Sequence, residues 1–141
     1  MPASDQRVLH LLQLAAHQVR TQVDRRGIAV AGVTMAQAGA LFVIHGNPGA
    51  TQREIAQALR QRESAVTGMI ARLLQARLVE RKASADDERA WALFLTPRGV
   101  KALAELRKVL NEINTRLAQT LGDDGLRQLA ASLRAVADLQ F

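Results

Sequence analysis

The sequence of 141 residues contains no cysteine and only three lysines, Lys82, Lys101 and Lys108. The absence of cysteine excludes disulfides, thiolate metal ligands, catalytic cysteines and cysteine redox sensors. Arginine therefore carries most of the positive charge among 19 basic residues, and the formal net charge is +6. Because the planar fork of arginine N–H groups suits phosphates and base edges, nucleic acid is the first partner to consider.

A strongly apolar run of membrane-spanning length is also missing. Residues 27–52 carry no charge, but the part up to Ile44 is rich in Ala and Gly and is interrupted by Thr34 and Gln37. A membrane span needs about 20 strongly apolar residues. We therefore expect a buried central helix with its entry loop, and no membrane partner. The first residues, MPASDQR, have no apolar run behind a basic start, so we expect no secretory signal and a cytoplasmic location.

The spacing of apolar residues predicts four helices before residue 78. Thr34 and Thr51, each followed three residues later by Gln or Glu, are typical of capping boxes that open two of these helices. Pro48 and Gly49 are placed for the middle of a type II turn, and the small residues 27–33 predict a connector. The four predicted helices cover about 5–26, 34–45, 51–59 and 62–77.

After Leu78 the period changes to that of β-strands, which predicts a hairpin from residues 78–83 and 90–95 with a charged tip between them. Thr96-Pro97 then predicts the start of a long helix, because Pro is favoured at the first helical position. Gly122-Asp123 predicts a break before a last helix. The fold class expected is mostly α with a small β-hairpin wing.

Apolar residues recur at heptad-like spacing in the two C-terminal helices, as at Leu103, Leu110 and Leu117. This pattern is typical of a seam between helices. One interpretation is a three-helix core within one chain, and the other is interlocked terminal helices from two chains. We favour a homodimer, because a long apolar seam remote from the central module needs covering. Residues 1–33 and 100–141 are then the helical dimerisation region.

The central residues, 34–99, combine short helices, a longer helix and a charged hairpin, which together predict a winged helix-turn-helix. An α-helix fits the major groove of double-stranded DNA, the preceding helix braces it, and the hairpin tip reaches an adjacent groove or phosphates. Residues 51–99 hold nine basic and six acidic side chains, a net charge of +3.

These segments also resemble a known family. The run EIAQALRQRESAVTGMIARLLQARLVER, followed by DDERAWALFLTPRG, is similar to the MarR family of bacterial transcription regulators. The wing carries the most specific part of the resemblance, with Asp87 and Arg89 in an Asp-x-Arg and then a strand that leads into Leu95, Thr96 and Gly99. Because the flanking helices match the dimerisation region of that family, the resemblance covers essentially the whole chain.

The resemblance implies roles for individual residues. Ser64, Ala65 and Thr67 lie where the recognition helix of the family meets the major groove, and Arg72 is its common basic residue further along. Arg89 is the wing arginine that enters the minor groove. The resemblance further implies that Asp87 orients the wing through a charge-assisted hydrogen bond.

Four positions depart from the family pattern. Arg60 replaces the usual Gly, Gln61 the usual apolar residue, and Gly68 a usual basic contact. Glu63 is acidic, which suits a helix N-terminus but repels phosphate. We expect Arg60 and Arg62 in the turn to contact DNA in place of the basic residue that is missing at position 68.

The family commonly binds small, often anionic aromatic molecules between its two lobes and then releases DNA. The resemblance places the polar ligand candidates His10, His17, Arg20 and His45 in that cleft; interface packing or solvation is the competing interpretation. No acidic or thiol cluster completes a metal site beside the histidines, and no nucleophile or glycine-rich phosphate loop accompanies them. We therefore expect no metal, no cofactor and no enzymatic activity.

The function expected is that of a sequence-specific transcription regulator, a repressor released by a small ligand. Two other functions are consistent with these residues. One is a basic architectural protein that binds many DNA sequences with similar affinity. The other is a winged-helix module that has lost DNA binding and contacts proteins, which the four departures motivate.

Overall fold

The computed structural model describes residues 7–84 and 89–141, and within these residues it contains five helices and one antiparallel hairpin. This confirms the expected fold class of a mostly helical protein with a small β wing. The elements in chain order are α1 (Val8–Ala31), α2 (Met35–Gly46), α3 (Gln52–Leu59), α4 (Glu63–Gln75), β1 (Val79–Ala83), β2 (Trp91–Leu95) and α5 (Pro97–Ala137).

Side-chain caps open the helices where the sequence predicts them. At α2 the Thr34 hydroxyl accepts from the Gln37 N–H at 3.2 Å, and Gln37 Oε1 accepts from the Thr34 N–H at 2.9 Å, which completes the capping box. At α3 the Thr51 hydroxyl accepts from the Glu54 N–H, but it also donates to the Glu54 carboxylate. The structure thus shows the complete capping box at α2, and at α3 the Thr51 cap with a side-chain contact to Glu54. Both caps satisfy backbone N–H groups that lack partners within the helix.

The prediction of a connector over 27–33 is wrong for most of its length, because α1 continues to Ala31 and ends at Gly32, whose φ is 69°. Gly27 remains helical because it packs closely against its neighbours. A Cβ on Gly27 would lie 2.6 Å from the Val33 carbonyl oxygen and 3.3 Å from a methyl carbon of Leu106. Here glycine permits a close approach and does not break the helix.

The wing hairpin pairs β1 with β2 in antiparallel register, from Val79 opposite Leu95 to Ala83 opposite Trp91. A single bridge then joins β2 to the turn before α3. The Leu93 N–H donates to the Ala50 carbonyl at 3.0 Å, and the Gly49 N–H donates to the Leu93 carbonyl at 2.8 Å. Gly49 has a φ of 89° and follows Pro48, as expected for the type II turn. This bridge fixes the base of the wing beside the start of α3.

The chain divides into two compact units, residues 1–106 and 107–141. The core of the first unit is apolar, and its largest fully buried side chains come from α2, α3, α4 and α5, with Val23 of α1 and Val33 of the following loop. They are Val23, Val33, Leu41, Ile44, Ile55, Val66, Leu73, Leu103 and Leu106. Burial of this size stabilises the unit by about 1.5–3 kcal/mol for each large side chain.

The second unit is helical and contains the break that the sequence predicts. Gly122, with φ 76° and ψ 163°, interrupts the helical backbone. Beyond it, large apolar side chains are exposed in the single chain. They are Leu129, Leu133, Val136, Leu139 and Phe141.

The first half of α1 is exposed in the same way. Val8 and Leu12 are exposed, whereas Val23, which lies on the same face of the helix further along, is buried.

Among the described residues, no single helix is long and apolar enough to cross a membrane. Helices α1 and α2 reach that length and apolar character only when they are taken together, and the chain bends by 66° between them.

Candidate nucleic-acid interface

The turn between α3 and α4 depends on a left-handed backbone at Arg60, with φ 53° and ψ 42°. The Gln61 N–H donates to the Ala56 carbonyl at 3.0 Å, and the Arg60 N–H donates to the Gln57 carbonyl at 3.2 Å. These two bonds form the helix-ending motif that usually has Gly in the left-handed position. The turn thus keeps the backbone shape of a glycine turn while it carries an exposed arginine side chain.

One face of α4 is exposed and the other is buried in the core. Val66, Ile70 and Leu73 are buried. The residues predicted to meet the major groove, together with the departures beside them, all lie on the exposed part. They are Arg62 before the helix and Glu63, Ser64, Ala65, Thr67, Gly68 and Arg72 within it.

Arg72 lies one turn beyond Gly68 and two turns beyond Ala65 on this helix, so these three residues share one side. The structure therefore places Arg72 in line with the predicted contacts. A Cβ at Gly68 would meet no atom within 4 Å. A side chain at residue 68 consequently has open space over this face.

Thr67 makes two hydrogen bonds inside the protein that the sequence did not predict. Its hydroxyl donates to the Glu63 carbonyl at 2.9 Å, one turn back along α4. The same hydroxyl accepts from the side-chain amide of Gln52, the first residue of α3. Helices α3 and α4 are therefore joined by a polar contact on the surface that is predicted to face DNA.

The wing carries cations stacked on aromatic rings. The Arg81 guanidinium lies 4.7 Å from the centroid of the Trp91 ring, and the Lys82 ammonium lies 5.1 Å from that of Phe94. Such contacts hold long basic side chains over the hairpin. Arg89 is exposed at the start of the second arm, next to Ala90. Asp87, predicted to orient the wing, lies outside the described residues.

A groove of about 430 Å³ lies between α3, α4 and the wing. Its polar lining includes Gln52, Arg53, Glu63, Arg81 and Arg89. Arg53 and Arg81 were not predicted as site residues, because their approach to Arg89 depends on the packing of the hairpin beside α3. Three arginines against one glutamate give this groove a positive balance.

The ligand candidates lie elsewhere. His10, His17 and Arg20 are exposed on α1, and His45 is exposed in the last turn of α2. A second depression of about 520 Å³ is instead formed by the end of α1, by Leu78 just before β1 and by the start of α5. Its charged lining consists of Arg98, Lys101 and Glu105, so its basic groups are ones that the sequence did not single out. Within the part of the chain that the structure describes, no group of three or more potential metal-ligand side chains occurs.

Comparison with known proteins identifies the family. The MarR family model matches residues 31–90, which span α2, α3, α4 and the first arm of the wing. The chain is also 29% identical to CouR, a transcriptional repressor solved bound to a 23-mer DNA duplex, with a TM-score of 0.76 over 93% of this chain and 95% of that one. Residues 31–90, the helix-turn-helix and the first arm of the wing, match the MarR family.

Other similar proteins match most of the chain. A Thauera aromatica protein named for transcriptional regulation of the hcr operon is 32% identical over 79% of this chain, and the HTH-type transcriptional regulator BilQ of Clostridium symbiosum is 30% identical over 66%. The chain spans 65% and 66% of the length of these two curated relatives. The fold also matches the MepR–DNA complex of S. aureus, with a TM-score of 0.81 and 24% identity over 94% of this chain and 96% of that one.

Proposed function

We propose that this protein is a sequence-specific DNA-binding transcription regulator that acts as a homodimer. The observation that carries the proposal is the groove that α4 forms with α3 and the wing arginines Arg81 and Arg89, beside the exposed face of the helix. An α-helix fits the major groove, which is about 12 Å wide, and a wing beside it reaches the flanking minor groove. CouR and MepR, which share this fold, are both known bound to DNA.

The residues proposed to contact DNA divide into two groups. Ser64, Ala65 and Thr67 lie in the first turns of α4 and form the part of the surface at which base edges are read. Arg60, Arg62, Arg72 and Arg89, with Arg53 of the groove, contact phosphates or the minor groove and supply most of the affinity.

The homodimer is supported by the apolar residues that the single chain leaves exposed. Leu9 of α1 is 67% exposed, and Leu129 and Leu133 of the second unit are 38% and 43% exposed. Apolar surface of this extent is usually covered by a partner. We therefore assign residues 1–33 and 100–141 to dimerisation and residues 34–99 to DNA binding, so that two copies of α4 read two half-sites.

We further propose that the protein is a repressor released from DNA by a small anionic ligand. The depression beside the end of α1 supports this, because Arg98 and Lys101 can pair with a carboxylate while Val30 and Ala102 offer apolar contact. A ligand acts as a switch only if it binds the DNA-incompetent conformation more tightly. A panel of aromatic acids that includes salicylate should raise the melting temperature and weaken operator binding; no effect from any acid contradicts ligand release by this class.

The test of the proposed function is selection of duplexes from a random pool by the purified protein. A symmetric dimer should enrich a palindromic site whose half-sites lie about one helical turn apart. Enrichment of no motif, with salt-dependent binding to every duplex, indicates an architectural protein. No salt-dependent binding at all indicates a module for protein contacts, as Glu63 and Gly68 would favour.

A further inference from the structure

We infer that Gln52, on the helix before the recognition helix, is a specificity-determining residue that recognises one adenine of the operator. This inference rests on the proposed function and adds a residue to it. Gln52 is the first residue of α3, directly after the capping residue Thr51, and it is half-buried at the groove that Arg53 and Arg89 also line. It therefore lies between the exposed face of α4 and the wing.

The hydrogen bonds of Thr67 limit what its hydroxyl can offer to a base. A hydroxyl has one hydrogen and two acceptor lone pairs. The Thr67 hydroxyl donates its hydrogen to the Glu63 carbonyl at 2.9 Å, and one of its lone pairs accepts an N–H of Gln52. In this arrangement Thr67 retains an acceptor but has no hydrogen to donate to a base.

The same hydrogen bonds fix the orientation of the Gln52 side chain. Because the Thr67 hydrogen is committed to Glu63, the Gln52 carboxamide can approach Thr67 only with its N–H side. The Gln52 Nε2 carries two hydrogens. When the one that points away from Oε1 is donated to Thr67, the other hydrogen and Oε1 lie side by side. A donor and an acceptor in this arrangement match N7 and the N6 amino group of adenine in the major groove. Thr67 thus acts as a positioning residue for Gln52.

The experiment uses the full-length dimer and its selected operator, together with duplexes in which each base pair is substituted in turn. Binding of wild type, Gln52→Ala, Thr67→Val and the double variant is measured by fluorescence anisotropy, after circular dichroism shows that each is folded. Gln57→Ala is the matched control, because Gln57 is an exposed glutamine on the same helix. Thr67→Val removes the hydroxyl and keeps the branched shape.

Gln52→Ala should lower the discrimination at one A·T pair by about 5- to 150-fold, the size of one bidentate base contact, while other positions and the salt dependence stay as in wild type. Thr67→Val should weaken discrimination at the same pair, and the double variant should lose no more than Gln52→Ala alone. Gln57→Ala should match wild type. A wild-type base-pair profile for folded Gln52→Ala overturns the inference, as does additive loss at different pairs. If wild type itself shows no base preference, the proposed function fails instead.

Discussion

Gly99, in the first turn of α5, lies so close to Leu78 that a Cβ on the glycine would be 2.0 Å from the Leu78 carbonyl oxygen. That oxygen accepts from the Thr96 N–H at 3.1 Å, and the Thr96 hydroxyl donates to the Arg77 carbonyl at 2.6 Å. The start of α5 is therefore locked against the residues between α4 and β1. This contact sets the base of the wing relative to α4. It requires a residue without a Cβ at the end of the Thr-Pro-Arg-Gly segment.

Gly99→Ala should lower the free energy of unfolding by at least about 2 kcal/mol, because backbone must move to accept the methyl group. Urea denaturation followed by circular dichroism measures the change. Gly68→Ala is the matched control: its Cβ meets nothing within 4 Å, and Ala should raise helix stability by about 1 kcal/mol. Equal stability of Gly99→Ala and wild type would show that the contact with Leu78 is not held in solution.

Arg60 should lower the stability of the fold through its backbone and strengthen DNA binding through its side chain. Its left-handed φ of 53° costs an L-residue about 1 kcal/mol or more, which Gly does not incur. Arg60→Gly should therefore be about 1 kcal/mol more stable than Arg60→Ala, which removes the same side chain but keeps the backbone cost. Both variants should bind the operator equally and more weakly than wild type. Equal stability of the two variants contradicts the left-handed turn, and wild-type affinity in both contradicts a DNA contact by Arg60.

Arg89→Ala should weaken binding to specific and mismatched operators by similar factors. In the minor groove an arginine senses width and negative potential more than base identity. The salt dependence should become shallower by about one unit, as for the loss of one phosphate-neutralising charge. Anisotropy titrations over a series of salt concentrations measure both, with Arg134→Ala, an exposed arginine of the second unit, as control. Wild-type affinity and salt slope in a folded Arg89→Ala dimer would show that the wing does not touch DNA.

Leu129→Glu should convert the dimer to a folded monomer. Leu129 is 38% exposed in the single chain, so a charge there is tolerated by the monomer but becomes buried and unpaired in a dimer, at a cost of several kcal/mol. Light scattering at micromolar concentration should give about twice the chain mass of 15.4 kDa for wild type. Gln128→Glu adds the same charge on a neighbouring exposed residue and should remain dimeric. A monomeric mass for wild type contradicts the dimer.

Local signals predicted most of the elements correctly. The caps at Thr34 and Thr51, the turn at Gly49 and the break at Gly122 depend on residues within a few positions of one another, so they can be derived from the sequence. Gly27 misled the prediction because a glycine that breaks a helix and one that permits close packing look alike until the packed neighbour is known.

The candidate site was predicted less completely, for the same reason. The face of α4 follows from helical periodicity, and Arg89 follows from the family resemblance. The contact of Gln52 with Thr67 joins residues 15 positions apart, and the stacking of Arg81 on Trp91 depends on the register of the hairpin. Both depend on tertiary packing, which no local spacing in the chain reveals.

The measurement that tests the central claim most directly is the ratio of dissociation constants for the selected operator and a scrambled duplex of equal composition, taken at physiological salt. A sequence-specific regulator should bind its operator at least about 1,000-fold more tightly than the scrambled duplex. Equal affinity for the two duplexes, or no binding to either, would contradict the account.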